Sequence, residues 1–336
     1  MSRSVLFSTG LFGVLATAGV TLGCGASCTD CAVSSDDGTA SGATGDASTG
    51  SDGGGDGDGD GDGDGDGQGC EAAGTFAIGA LSADAPTGFD AAFSKQVDVW
   101  GLTIYATPAT ADDKILHAAH VLAQYLDNDE NCEVDDASVH AALLARDASM
   151  VMFATEAEAE MLIEALFDAV PPSVIDNMVL QDLYASETHP NGAAMGIFDA
   201  SLEEVLHLVS SAGWSEAYPS AFGIDPGTLT TDAMDLARGG YFEDVPATYP
   251  EEAWYHYDDV TCDYGCMAVE YFYWALTSHL GGQDFGDRCE EIAVEWEPCT
   301  ASQFAATDVA MHALLTDPTY TLPTVLPDGS YEPQGQ

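Results

Sequence analysis

Apolar residues run nearly unbroken from Val5 to Leu22, thin out over residues 25 to 69, and return afterwards in short periodic blocks. Val97 to Tyr105 is rich in β-branched and aromatic side chains and predicts one strand. Asp112 to Leu126 carries Ile115, Leu116, Ala119, Leu122 and Ala123 at helical spacing. A second helix, about Ala137 to Arg146, leads into Ser149 to Phe153, a short buried strand. Glu156 to Ala169 predicts an amphipathic helix that Pro171 and Pro172 stop, and Val179 to Ala185 another strand. Beyond His189-Pro190-Asn191-Gly192 the spacing is mainly helical: Leu202 to Ala212, Thr231 to Arg238, Cys266 to Leu280 and Ala306 to Leu315. Strands and helices mixed early, with helices later, predict one α+β domain without internal repeats.

The first apolar block follows a single basic residue, Arg3, and ends in small residues, so residues 1–23 read as a cleaved export signal. Residues 24–69 are rich in Gly, Asp and Ser and close in the Asp-Gly alternation Asp56 to Gly67. They lack the apolar surface to fold, and their charges repel, which predicts a disordered, extended tether. The globular domain is then residues 70–336. Thr21-Leu22-Gly23-Cys24 resembles the lipobox of bacterial lipoproteins, with Thr21 where that family usually has Leu. The resemblance implies acylation of Cys24 and a cell-envelope protein attached to the membrane by lipid, at the outer membrane or cell surface. Ala16-Thr17-Ala18 offers the alternative of a cleaved, freely secreted protein.

Charge narrows the partners. Against 57 Asp plus Glu stand 6 Lys plus Arg, a net charge of −51. Such a field repels nucleic acid and attracts cations. The basic residues after Arg3 (Lys95, Lys114, Arg146, Arg238, Arg288) are scattered, so no nucleic-acid footprint is expected. The 9 cysteines become an even set once Cys24 is lipidated, and in an oxidising compartment they should pair. Cys289 and Cys299 flank one short helical stretch and are the expected pair; Cys262 and Cys266 favour a disulfide over zinc.

Three stretches carry candidate chemistry. In Asp127-Asn128-Asp129-Glu130-Asn131-Cys132-Glu133-Val134-Asp135, oxygen side chains at Asp127, Asp129, Asn131 and Asp135, with the Glu133 carbonyl, suit a hard cation. The loop resembles the calcium loops of EF-hands, dockerins and thrombospondin type 3 repeats. It departs from EF-hands where Cys132 replaces the turn glycine and Ser138 the bidentate glutamate. The alternative is an acidic turn between helices.

The second stretch is Ser201-Leu202-Glu203-Glu204-Val205-Leu206-His207. On a helix Glu203 and His207 share a face. The segment resembles the His-Glu-x-x-His helix of zincin metallopeptidases, with Glu203 in place of the first histidine. The resemblance implies a single zincin-like domain with a small mixed sheet and a mainly helical C-terminal half. It makes Glu203 and His207 metal ligands, Glu204 the general base, and Glu270, as in gluzincins, a third ligand from a later helix. Two carboxylates and one imidazole suit zinc or another transition metal, or calcium. A purely structural alternative stands beside it: Ser201-x-x-Glu204 is a capping box, and a Glu203–His207 pair would satisfy a buried imidazole.

The third stretch gathers Tyr255, His256 and Tyr257 before Glu270, and with His189 these are candidates to grip a ligand or an oxyanion. The sequence favours a lipid-anchored, calcium-binding, disulfide-stapled domain that meets an extracellular protein or cell-wall ligand. A metal-dependent hydrolase is the alternative.

Overall fold

The computed structural model describes residues 76–333. The export signal, Cys24, the tether and Cys70 lie outside the described residues. Five strands form one mixed sheet in sequence order: β1 (Gly79–Ala80), β2 (Lys95–Val99), β3 (Leu102–Ala106), β4 (Ser149–Phe153) and β5 (Leu180–Tyr184). β1, β2 and β3 pair antiparallel, while β3, β4 and β5 pair parallel. Helices α1 (Asp112–Leu126) and α2 (Ala137–Ala145) connect β3 to β4, and α3 (Glu156–Ala169) lies between β4 and β5. The architecture is α+β with a mixed sheet.

The single strand expected over Val97 to Tyr105 is instead a hairpin. Trp100 (φ 51°) and Gly101 (φ 88°) both take the left-handed region, the requirement of the two-residue turn whose twist matches its strands. Asp98 Oδ1 accepts the Gly101 N–H at 3.2 Å, and Val99 faces Leu102 across the turn. Composition alone could not reveal the break, because Trp100 is itself a strand former.

Side chains of the parallel strands alternate between two cores, as period two requires. Ile104, Met150, Met152 and Leu183 face a large core shared with the helices. Tyr105, Val151, Phe153, Leu180 and Tyr184 face a smaller one with Phe89, Phe93 and α3. Both faces being covered explains why β4 and β5 are buried along their whole length.

The helical half contains α4 (Ser201–Val209), α5 (Leu229–Ala237), α6 (Tyr264–His279), α7 (Ala301–Thr307) and α8 (Val309–Leu315). The helix expected over Leu202 to Ala212 changes to a π turn at Ser210–Trp214. There Gly213 packs so tightly that a Cβ would meet Val139 Cγ1 of α2 at 2.8 Å. The helix expected over Ala306 to Leu315 is broken at Asp308, whose carboxylate caps α8 through the Met311 N–H. Disulfides join Cys262 to Cys266 at the start of α6, and Cys289 to Cys299; Cys132 is also disulfide-bonded. Among the described residues no helix is long and apolar enough to cross a membrane.

Candidate metal centre

α4 and α6 pack against each other in the large core, and Glu203 of α4 meets Glu270 of α6 there. Glu203, His207 and Glu270 each offer a ligand atom, and these atoms lie within 4.8 Å of one another. His207 is 3% exposed, whereas Glu203 and Glu270 keep partial access to solvent. His207 Nε2 stands 3.4 Å from Glu270 Oε2, yet it is a buried nitrogen with no hydrogen-bond partner. Buried polar atoms are normally satisfied. An imidazole nitrogen left open between two carboxylates fits a cation-binding donor set.

The opposite nitrogen is anchored. His207 Nδ1 lies 3.4 Å from Glu204 Oε2, and the same oxygen accepts a 2.6 Å hydrogen bond from Gln181 Nε2 of β5. The Glu204 carboxylate therefore sits on the Nδ1 side of the ring, away from the converging atoms, and ties α4 to the sheet. A carboxylate behind a histidine fixes its tautomer and raises its basicity as a ligand. Gln181 escaped sequence reading, although an amide at an inward-facing strand position was a visible signal.

The capping-box alternative fails. The residue before α4 is Ala200 and supplies no side-chain cap. Ser201 Oγ is buried without a partner, and Glu204 reaches Gln181 and His207 instead. Asp199 replaces the box, its Oδ1 accepting the N–H groups of His189 (2.9 Å) and Ser201 (3.3 Å). Its Oδ2 meets His117 Nε2 at 2.5 Å. Burial pushes Asp199 up, but the His117 contact and the N–H donors hold it below the usual carboxylate range.

The surrounding ring is acidic and aromatic. Tyr257 Oη donates to Glu270 Oε1 at 3.3 Å, and the Tyr273 ring stands edge-on to His207 at 5.7 Å. Trp274 Nε1 donates to Glu295 Oε1 at 2.8 Å. Tyr255 points elsewhere, its hydroxyl donating to the Met267 carbonyl in the core. His256 packs on Tyr249, and His189 is held through its backbone. Only Tyr257 of the ligand-gripping candidates thus contacts a member of the converging set. Glu295 had no sequence signal, since nothing local distinguishes it from the chain's other glutamates.

So many carboxylates around one imidazole shift one another. Burial, then Glu270 and Glu204, hold the Glu203 carboxyl well above its ordinary range. Burial, then Glu204, pushes Glu187 up to about 8; burial, aided by Glu270, takes Glu295 to about 7. Burial opposes charge on His207, but Glu270 and Glu204 outweigh it and raise its pKa. Carboxyls raised in the fold hold protons that the unfolded chain has lost, so stability falls as pH rises through that window. A raised histidine acts in the same direction, its contribution being lost as pH passes its folded pKa. The cation-free protein, kept in chelator, is therefore expected to melt at lower temperature at pH 8 than at pH 5. Melting curves at the two values check this, and an equal or higher value at pH 8 contradicts it.

The acidic loop forms a second group. Asp127, Asp129 and Asp135 each present an oxygen within 4.8 Å of the others. Asp127 is buried; its carboxylate accepts the N–H groups of Asn131 (3.0 Å) and Cys132 (2.7 Å) and the Tyr331 hydroxyl. Cys132 takes φ 74° where EF-hands use glycine, so the turn is made despite the substitution. Asn131 Oδ1 accepts the Glu133 N–H at 2.8 Å, which commits that side chain to the turn. The loop also fastens the chain end: Asn128 Oδ1 accepts the N–H groups of Thr324 and Val325.

Comparisons with protein-family models, with curated proteins and with solved structures find no match for this chain. Its functional reading therefore rests on the geometry of these two groups.

Proposed function

We propose that this protein is a divalent-metal hydrolase working outside the membrane, with Glu203, His207 and Glu270 holding the metal in a zincin-like arrangement. The observation that carries this is the convergence of the three side chains, from two helices, beside an imidazole nitrogen that makes no hydrogen bond and stands 3.4 Å from Glu270 Oε2. Three protein ligands with a remaining open position is the pattern of catalytic rather than structural metal sites. A divalent cation in such a set supplies Lewis-acid polarisation of a carbonyl and of water. Glu204 with Gln181 orients His207. Tyr257, bonded to Glu270, offers a hydroxyl to stabilise charge developing on a substrate oxygen. The lipobox-like Cys24 and the tether sequence favour the cell envelope as the setting of this activity.

The test is metal analysis joined to cleavage of an unstructured peptide. Desalted protein loaded with zinc or manganese is expected to retain one equivalent. Glu270→Ala should lose the metal and the chelator-sensitive cleavage together. Stoichiometric uptake that survives Glu270→Ala, or cleavage indifferent to chelator, sinks the reading.

A second reading is favoured by the Asp127, Asp129 and Asp135 group: a calcium-stabilised binding module for an extracellular protein or cell-wall ligand. It is compatible with the first in one domain. Calcium at a hundredfold excess over its dissociation constant stabilises by about 2.7 kcal/mol. A rise in melting temperature on the order of 5–10 °C is expected, and Asp129→Ala should abolish it. Equal calcium responses in both proteins would remove this loop from consideration.

A further inference from the structure

Four of the five basic side chains in the described residues are committed. Lys95 pairs with Asp112 at 2.7 Å, Lys114 donates to the Thr188 carbonyl at 2.6 Å, Arg146 pairs with Glu216, and buried Arg238 pairs with Asp235 at 2.6 Å. Arg288 differs. Its Nε donates to Gln283 Oε1 at 3.0 Å, but its terminal nitrogens make no hydrogen bond among the described residues. The nearest carboxylate across an ion pair is Glu291, 3.9 Å from Nη1 and itself 62% exposed. The Arg288 side chain is only 13% exposed, lying over Phe198 at 4.3 Å and near Trp274 at 5.7 Å. In a chain of net charge −51, an arginine whose side chain is largely covered while its terminal nitrogens make no hydrogen bond is conspicuous.

Its neighbours lead to the metal centre. Gln283, which holds Arg288, also donates to the Tyr273 hydroxyl at 3.0 Å, and Tyr273 stands against His207. Trp274 carries Glu295 on its indole nitrogen. Phe198 fixes the plane of the guanidinium from one face, and Gln283 fixes its rotation. A planar fork held this way matches the two oxygens of a carboxylate, which a lysine ammonium would not.

We propose that Arg288 is the anchor for the carboxylate of an anionic ligand whose other end reaches the Glu203–His207–Glu270 centre. This deepens the hydrolase reading and rests on it for the ligand's second contact. The carboxylate belongs either to a small free acid or to the C-terminus of a peptide.

The experiment is calorimetry on the manganese-loaded full domain and chain, with N-acetyl-dialanine, its C-terminal amide, and acetate as probes. The acid is expected to bind at least ~10-fold more tightly than the amide, the scale of one charge-assisted bidentate contact. Arg288→Met should erase the difference while keeping one equivalent of manganese, and Arg288→Lys should restore it only partly. Acetate matching the dipeptide assigns the seat to small acids, and weaker acetate assigns it to peptide termini; both outcomes support the anchor. Equal binding of acid and amide, or a difference that persists in Arg288→Met, overturns it. Absence of manganese uptake by the wild type counts against the metal centre alone, and the same acid–amide comparison on cation-free protein then decides Arg288. Should Arg288→Met fail to fold, judged by circular dichroism, Arg288→Lys decides: an undiminished acid preference refutes the fork.

Discussion

Glu203→Gln is expected to stabilise the cation-free protein while destroying its response to metal. Glu203 is held with a raised pKa by burial and by Glu270 and Glu204, so at pH 8 its ionised form is opposed by like charges in poorly screened surroundings. An isosteric amide removes that opposition and keeps the packing on α4. Stabilising substitutions commonly add ~0.5–2 kcal/mol, here an increase of about 1–8 °C in melting temperature for a domain of this size. The same change removes one of the three proposed ligand groups, and cation-induced stabilisation should disappear. The measurement is melting in chelator and in excess manganese for both proteins. A variant that is less stable in chelator yet still responds to manganese would falsify the assignment of Glu203 as a ligand.

Asp308→Ala should give the largest loss of stability. Asp308 is 1% exposed and gathers the Tyr271 hydroxyl (2.6 Å), the Trp254 indole N–H (3.2 Å) and the Met311 N–H (3.1 Å). Removing it leaves buried donors without an acceptor, at ~1–3 kcal/mol each for groups that water cannot reach. It also removes the cap of α8, worth about 1 kcal/mol. A total on the order of 3 kcal/mol is expected, since Trp254 is only half-buried and can recruit water. Asp308→Asn, which keeps one acceptor oxygen, should lose less. Urea unfolding measures both; a loss below about 1 kcal/mol for the alanine variant would show that the donors find other partners.

Both effects hang on residues whose roles differ in legibility. Helical spacing put Glu203 and His207 on one face, whereas Glu270 was singled out only through the resemblance to gluzincins, whose later helix carries a third ligand. Glu204 was legible as part of the motif, but not its direction. Whether it faces Nε2 or Nδ1 of His207 depends on Gln181, which arrives from the sheet. Arg288, Glu295 and Tyr273 had no local signal, because their importance comes only from what they adjoin across the fold.

The chain's own pattern of residues determined the alternation of early strands and helices, the two acidic motifs and the Cys289–Cys299 pairing. Each follows from composition or from spacing within a few turns, where local physics suffices. The hairpin at Trp100-Gly101, the loss of the Ser201–Glu204 cap and the isolation of His207 Nε2 were decided by tertiary structure alone. A turn's handedness depends on the strands it joins, and a side chain's hydrogen bonds depend on which competing partner packing brings within reach. For Glu204 that partner was a glutamine on β5, which set its carboxylate on the Nδ1 side of His207 and left Nε2 facing Glu270.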